Sequence, residues 1–148
     1  MIRAGITGPF GPVSLVERDG LLVGLEWQLP EVVGESAALA EGLAQLAAYF
    51  AGRLRRFDLP LDWGTGLNAA VRRAMAEIPW GETRTYGQIA TAVGAPAQAV
   101  GQACGANPLP IIIPCHRVTG TKWFGGFSAP GGVETKAALL RHEGALLL

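Results

Sequence analysis

The sequence predicts an α+β fold: a small N-terminal sheet with one helix, then a mainly helical C-terminal domain. Two observations predict it. Short apolar runs separated by turn residues fill the first thirty positions, and apolar residues with helical spacing begin near Ser36. At 148 residues the chain has the size of one domain, or of two small ones that share a core. Residues 53–63 look extended and link the halves, so we expect domains at 1–63 and 64–148.

The composition argues against a membrane protein. Apolar residues make up 49% of the chain and charged residues 16%. No apolar run approaches the roughly 18 residues that suggest a membrane span. The segment from Met1 to Gly20 lacks the basic start and apolar middle of a signal peptide. We therefore expect a soluble, cytoplasmic protein without a membrane partner.

Charge is distributed unevenly along the chain. Residues 1–65 carry five basic and eight acidic side chains, and residues 66–148 carry seven basic and four acidic ones. The overall net charge of zero does not by itself favour a nucleic-acid partner. The basic C-terminal half nevertheless permits contact with phosphates.

The N-terminal elements follow from turn residues and spacing. Three strands are predicted, at residues 2–7, 11–18 and 21–27. Asp19-Gly20, between the second and third strands, is a strong hairpin signal. A helix is predicted from Ser36 to about Gly52. Its apolar residues recur on one face: Leu39, Leu43, Leu46, Ala47 and Phe50.

The second half opens with a predicted helix-turn-helix. An amphipathic helix runs from Leu67 to Ile78 and is stopped by Pro79. The segment Thr85-Tyr86-Gly87-Gln88 fits a capping box that opens a short helix through about Val93. After a turn, Pro96 takes a favoured first position of a helix over 96–105. Two short helices joined by a tight turn are typical of helix-turn-helix units.

The last predicted helix includes Val133, Ala137 and Leu140. It ends at Gly144, a residue type that commonly follows a helix C-terminus.

The helix over 97–105 has small side chains. Only Gln98 and Gln102 are long and polar, whereas a recognition helix in the major groove needs several such side chains to reach base edges. A smooth helix would suit the minor groove, which is about 6 Å wide. Alternatively, the small residues serve tight helix packing in the core, and the pattern alone leaves both interpretations open.

The segment around Cys115-His116 is a candidate nucleophilic site. A nucleophilic cysteine needs its thiolate, so a partner must lower a pKa that is ordinarily about 8.5. In a straight strand neighbouring side chains point to opposite faces, so a direct Cys–His bond requires a bend or a bridging water. The alternative is a buried structural cysteine beside a satisfied histidine. With Cys104 the only other cysteine and two histidines in all, neither a disulfide framework nor a four-ligand zinc site is expected.

The segment Pro114-Cys115-His116-Arg117-Val118 resembles the signature of the O6-alkylguanine-DNA alkyltransferases. Further segments resemble that family and occur in its order, so the resemblance covers roughly residues 39–144. They are residues 78–87, Ala99-Val100-Gly101, Asn107-Pro108, Gly126-Phe127-Ser128 and His142-Glu143-Gly144.

The resemblance implies direct repair of DNA. The alkyl group of O6-alkylguanine is transferred irreversibly to Cys115 in a single turnover, without cofactor or metal. His116 matches the residue that takes the thiol proton through a water, and Glu143 matches the carboxylate that orients it. Asn107 matches a hinge residue whose amide ties the cysteine turn to the helix-turn-helix.

The resemblance also implies how DNA is bound. A monomer binds double-stranded DNA through the minor groove and rotates the damaged base out of the duplex. Tyr86 matches the tyrosine that assists this rotation and donates a proton to guanine N3. The guanine pocket is implied to include the backbone at Cys115 and Val118, together with Ser128 and Phe127. The implied DNA contacts are Ala97, Gln98, Ala99, Gly101, Asn68 and Thr121.

Two positions depart from the family pattern. Gln98 stands where the family usually has an arginine that fills the vacated stack, and Phe127 stands where tyrosine is common. The zinc ligands of some relatives have no counterparts.

Two other functions remain as alternatives. One is a lesion sensor of the alkyltransferase-like type, although such proteins replace the acceptor cysteine. The other is a cysteine hydrolase that uses Cys115 and His116.

Overall fold

The computed structural model describes residues 1–122 and 125–146 and confirms the α+β class. The chain forms two compact units, Met1–Asp62 and Trp63–Leu148. Each unit has its own buried apolar residues, among them Leu15, Leu39 and Leu46 in the first. Within the described residues, no helix combines the length and the apolar character needed to cross a membrane.

The N-terminal unit contains a three-stranded antiparallel sheet in the order β1-β2-β3. The strands are β1 (Ile2–Gly8), β2 (Gly11–Arg18) and β3 (Leu21–Glu26). At the predicted hairpin, Asp19 and Gly20 have φ values of 53° and 84°. Positive φ at both central residues is the requirement of a type I′ turn, whose twist matches that of the flanking strands.

One helix, α1 (Ala37–Phe50), packs on this sheet. Ser36 caps it, because its hydroxyl accepts a hydrogen bond from the Leu39 N–H at 3.1 Å. The helix approaches the sheet closely at Gly42, where an added Cβ would lie 2.5 Å from the Leu15 side chain. After α1, the end of the predicted extended segment lies beside β3, where the Leu22 N–H donates to the Pro60 carbonyl at 2.8 Å.

The C-terminal unit is mainly helical, as predicted. Its helices are α2 (Gly66–Ala76), α3 (Tyr86–Val93), α4 (Ala97–Gly105) and α5 (Val133–His142). The first three pack against one another. Two short strands that the sequence did not predict, β4 (Arg84–Thr85) and β5 (Val118–Thr119), pair in parallel.

Capping residues define where the two helices of the helix-turn-helix begin and end. At the start of α3 the Gln88 N–H donates to the Thr85 hydroxyl at 3.1 Å, and the Gln88 side chain accepts from the Thr85 N–H at 2.8 Å. This is the predicted capping box. Gly94 ends α3 with a φ of 72°. Pro96 precedes α4 as its N-cap, not as its first helical residue, because its ψ of 146° is extended.

Candidate active site

Cys115 follows an irregular segment that is anchored by buried isoleucines. Ile111 has a φ of 72°, a left-handed conformation that is strained for a β-branched residue. Hydrogen bonds close the segment, including one from the Cys115 N–H to the Ile113 carbonyl at 2.8 Å. Cys115 then begins a single 3₁₀ turn, Cys115–Arg117. The backbone therefore bends at the Cys-His pair, and Cys115 is half-buried while the isoleucines are buried.

Asn107 joins the end of α4 to this segment. Its Nδ2 donates to the Ile113 carbonyl at 2.9 Å, and its Oδ1 accepts from the Leu109 N–H at 3.1 Å. Both ends of the amide are thus used, which fixes the segment that presents Cys115.

His116 and Glu143 form a buried pair. His116 Nε2 lies 2.7 Å from Glu143 Oε2, and the two side chains are completely buried. Within the described residues, His116 Nδ1 is buried without a hydrogen-bond partner. A direct hydrogen bond from the Cys115 thiol to His116 is therefore not made.

Arg117 completes this network, and the sequence predicted no role for it. Its Nε donates to Glu143 Oε1 at 2.8 Å and its Nη2 to Glu143 Oε2 at 2.9 Å. Its Nη1 donates to the Ile78 carbonyl at 2.7 Å. The sequence signal that could have indicated its role was a charged residue directly before the apolar Val118.

These contacts determine the charge states of the pair. Burial alone would raise the pKa of Glu143, but hydrogen bonds from His116 and Arg117 lower this pKa to about 2. Burial lowers the pKa of His116 and outweighs the opposing effect of Glu143. Near neutral pH the site therefore combines a carboxylate with a neutral imidazole.

Lys136 is a second buried cation at this site, and the sequence predicted no role for it. Its Nζ donates to the Val118 carbonyl at 2.6 Å and to the Gly126 carbonyl at 3.3 Å. Burial lowers its pKa to about 8. The signal was its position on the apolar face of α5, three residues after Val133 and four before Leu140.

A cavity of about 200 Å³ opens at the Cys115 side chain. The structure brings several predicted site residues together in its wall: Tyr86, Gly101, Asn107, Cys115, Phe127 and Ser128. Cys104, to which no role was assigned, also lines it. Val118 is buried, and its carbonyl is bonded to Lys136.

Tyr86 forms one side of this cavity and is half-buried. The loop before Phe127 passes close to it. Gly125 has a φ of 79°, and an added Cβ there would lie 2.5 Å from the Tyr86 hydroxyl oxygen. Only glycine fits both conditions. Burial raises the pKa of Tyr86, so the phenol keeps its proton near neutral pH.

The pKa of the Cys115 thiol differs from the expectation drawn from the sequence, which was that a partner lowers it. Burial raises the pKa of Cys115, although the Asn107 hydrogen bond, the Lys136 charge and backbone hydrogen bonds act against this. Burial likewise raises the pKa of Cys104 to about 12. The resting thiol is therefore neutral, and the site needs a base to form the thiolate.

Helix α4 has two distinct faces. Val100, Ala103 and Cys104 are buried, whereas Ala97, Gln98 and Gln102 are exposed. Ala99 and Gly101 are partly exposed, and a Cβ added at Gly101 would meet nothing within 4 Å. Core packing does not require glycine at this position.

The remaining predicted contact residues, Asn68 on α2 and Thr121 after β5, are exposed. Within residues 1–122 and 125–146, no three His, Cys, Asp or Glu side chains are grouped to hold a metal ion.

Comparison with known proteins gives the family. Residues 67–145 match the family described as "6-O-methylguanine DNA methyltransferase, DNA binding domain". A curated relative from Mycobacterium tuberculosis, named methylated-DNA–protein-cysteine methyltransferase, is 42% identical over 149 residues, covering 93% of this chain and 89% of the relative.

Solved structures agree with this match. The crystal structure of M. tuberculosis O6-methylguanine methyltransferase is similar with a TM-score of 0.83 and 41% identity, covering 97% of this chain and 93% of that one. The M. tuberculosis OGT in complex with DNA is similar with a TM-score of 0.80 and 40% identity, covering 95% and 92%. The chain belongs to the 6-O-methylguanine DNA methyltransferase family.

Proposed function

We propose that this protein reverses DNA alkylation directly, by moving the alkyl group of O6-alkylguanine onto its own Cys115. The observation that carries the proposal is the placement of Cys115. Its side chain lines a cavity and is followed directly by His116, which is paired with Glu143 at 2.7 Å. The curated relatives at about 42% identity are named for this activity.

The proposed chemistry begins with removal of the thiol proton. A water molecule carries the proton from Cys115 Sγ to His116 Nδ1, while Glu143 holds the ring from the Nε2 side. The thiolate then attacks the alkyl carbon, so that an S–C bond forms as the C–O6 bond breaks. The electron pair of the broken bond stays with the guanine.

Tyr86 is the proposed acid for the leaving guanine. Its phenol lies in the cavity wall and retains its proton, because burial raises its pKa. Donation to guanine N3 lets the base leave uncharged. Because the product thioether does not revert, each chain acts once. The proposed reaction uses no cofactor or metal.

The proposed DNA complex uses the exposed face of α4 in the minor groove. Small residues at Ala97, Ala99 and Gly101 let the backbone approach the duplex. Gln98 fills the space left by the flipped base, and Asn68 and Thr121 contact phosphates. The protein acts as a monomer, and a cytoplasmic location is part of the same proposal, since both cysteines are free thiols.

The intact mass of the protein after incubation with O6-methylguanine DNA tests this function. We expect a gain of one methylene, located at Cys115 and not at Cys104 by peptide mapping. Tight binding without a mass gain would mean a lesion sensor. Neither binding nor a mass gain would exclude both and favour a hydrolase.

A further inference from the structure

Arg117 is a buried cation beside the His116–Glu143 pair, and the mechanism above gives it no task. It is 5% exposed. Two of its hydrogen bonds form a fork on the Glu143 carboxylate, at 2.8 Å and 2.9 Å. The third ties it to the Ile78 carbonyl at 2.7 Å. The planar guanidinium matches both carboxylate oxygens at once, which an ammonium group does not do.

The fork determines how Glu143 meets His116. Glu143 Oε1 is occupied by Arg117 Nε, so the histidine shares Oε2 with Arg117 Nη2. An ionised carboxylate only accepts hydrogen bonds, so the ring must donate from Nε2–H. In a neutral ring the lone pair is then on Nδ1, the nitrogen that has no partner among the described residues.

Among the described residues, three side chains place charges that act on His116. Glu143 favours the imidazolium form, whereas Arg117 on the same turn and Lys136 on α5 oppose it. The arginine neutralises the carboxylate that would otherwise stabilise a protonated ring. An imidazolium has no lone pair with which to accept the thiol proton, so neutrality of His116 decides whether it acts as a base.

We propose that Arg117 is a positioning residue for alkyl transfer, which holds Glu143 on a two-point fork and thereby keeps His116 as the neutral Nε2–H tautomer. Its kinetic consequence rests on the proposed function, whereas the tautomer does not. The two can therefore fail separately.

The first test measures the tautomer in the wild-type protein. The chain has two histidines, so ¹⁵N NMR of the imidazole rings gives two sets of signals, which His142→Gln assigns. We expect His116 at neutral pH to have a protonated Nε2 and a bare Nδ1. An imidazolium, or a ring protonated at Nδ1 alone, would overturn the proposal even if the protein transfers alkyl groups normally.

The second test is the pH profile of single-turnover transfer. Removing a nearby positive charge raises the pKa of a histidine, so the neutral base is lost at a higher pH. In Arg117→Met we expect the acid limb of the profile to move up by about one pH unit. In Arg117→Lys, which keeps the charge without the fork, the shift should be smaller.

Arg18→Met is the matched control, because Arg18 pairs with Asp62 at 3.3 Å on the exposed surface of the N-terminal unit. It should leave the profile unchanged. A slower Arg117→Met with an unmoved acid limb would overturn the proposal and leave Arg117 a purely structural part. If Arg117→Met does not fold, Arg117→Lys and the wild-type spectrum decide. A wild-type protein without transfer would refute the proposed function, and the spectrum would still decide the tautomer.

Discussion

At the scale of single residues, His116 and Arg117 are buried and hydrogen-bonded to the buried Glu143, and His116 Nδ1 is the ring atom that has no partner among the described residues. Glu143 stays ionised because His116 and Arg117 hydrogen-bond both of its oxygens. The family resemblance implied roles for His116 and Glu143, which the structure pairs at 2.7 Å. It implied no role for Arg117 or Lys136. The local signals at these two residues could not identify their partners, because their bonds to Glu143 and Val118 span 26 and 18 residues.

Glu143 makes stability depend on pH in the acid range. Its pKa is about 2 in the folded protein, whereas 4.5 is the ordinary value expected in the unfolded chain. Since the folded value is the lower one, the stabilisation is present above pH 4.5 and is lost as pH falls towards 2. The difference corresponds to about 3 kcal/mol.

We expect Glu143→Gln to flatten this dependence, measured as the free energy of unfolding in urea at pH 6 and pH 3. Glu134→Gln, an exposed carboxylate in the first turn of α5, is the control and should keep the wild-type slope. Equal pH slopes in wild type and Glu143→Gln would contradict the assignment.

At the scale of elements, the sequence predicted the features that depend on residues close together in the chain. The capping box at Thr85, the turn at Asp19-Gly20 and helix α1 depend on neighbours within a few residues, and all three are observed. The predicted apolar face of α1 is only partly correct, because Leu39 and Leu46 are buried but Ala47 is exposed. The β4–β5 pair was missed because a two-residue strand has no periodicity. Its pairing of Arg84 with Val118 is set by tertiary contacts.

The exposed face of α4 can be tested separately from its core face. Gly101→Leu adds a side chain where nothing lies within 4 Å of the Cβ, so folding should be unaffected or stabilised by up to about 1 kcal/mol. Because Gly101 also lines the Cys115 cavity, the test uses undamaged duplex DNA. If this face enters the minor groove, affinity for that DNA should fall about tenfold or more, roughly 1.4 kcal/mol. Ala44→Leu, on the exposed side of α1, controls for the added apolar group. Unchanged DNA affinity in Gly101→Leu would remove α4 from the interface.

Substitutions of Gln98 test whether this side chain fills the space that the flipped base leaves in the stack. A guanidinium there would add attraction to phosphates and could hydrogen-bond the orphaned base. We expect Gln98→Arg to bind DNA more tightly and with a steeper salt dependence, and Gln98→Ala to bind more weakly than wild type. Binding isotherms at two salt concentrations measure both effects. Coincident isotherms for the three proteins would show that residue 98 does not fill the stack.

At the scale of the whole molecule, the charge is divided along the chain. Residues 66–148 carry seven basic and four acidic side chains, whereas residues 1–65 carry five and eight. All of the proposed DNA contacts and the Cys115 site fall in the basic part. The sequence predicted this division and the fold class, since both depend on composition and local periodicity. The shape of the cavity depends on contacts between distant segments and required the structure.

The stoichiometry of alkyl transfer tests the central claim most directly. Protein is mixed with a large excess of DNA that carries labelled O6-methylguanine, and label bound to protein is followed over time. We predict a rise to one methyl group per chain that then stops, with no transfer by Cys115→Ser. Release of more than one equivalent of label from DNA per chain, or transfer by Cys115→Ser, would contradict irreversible transfer to Cys115.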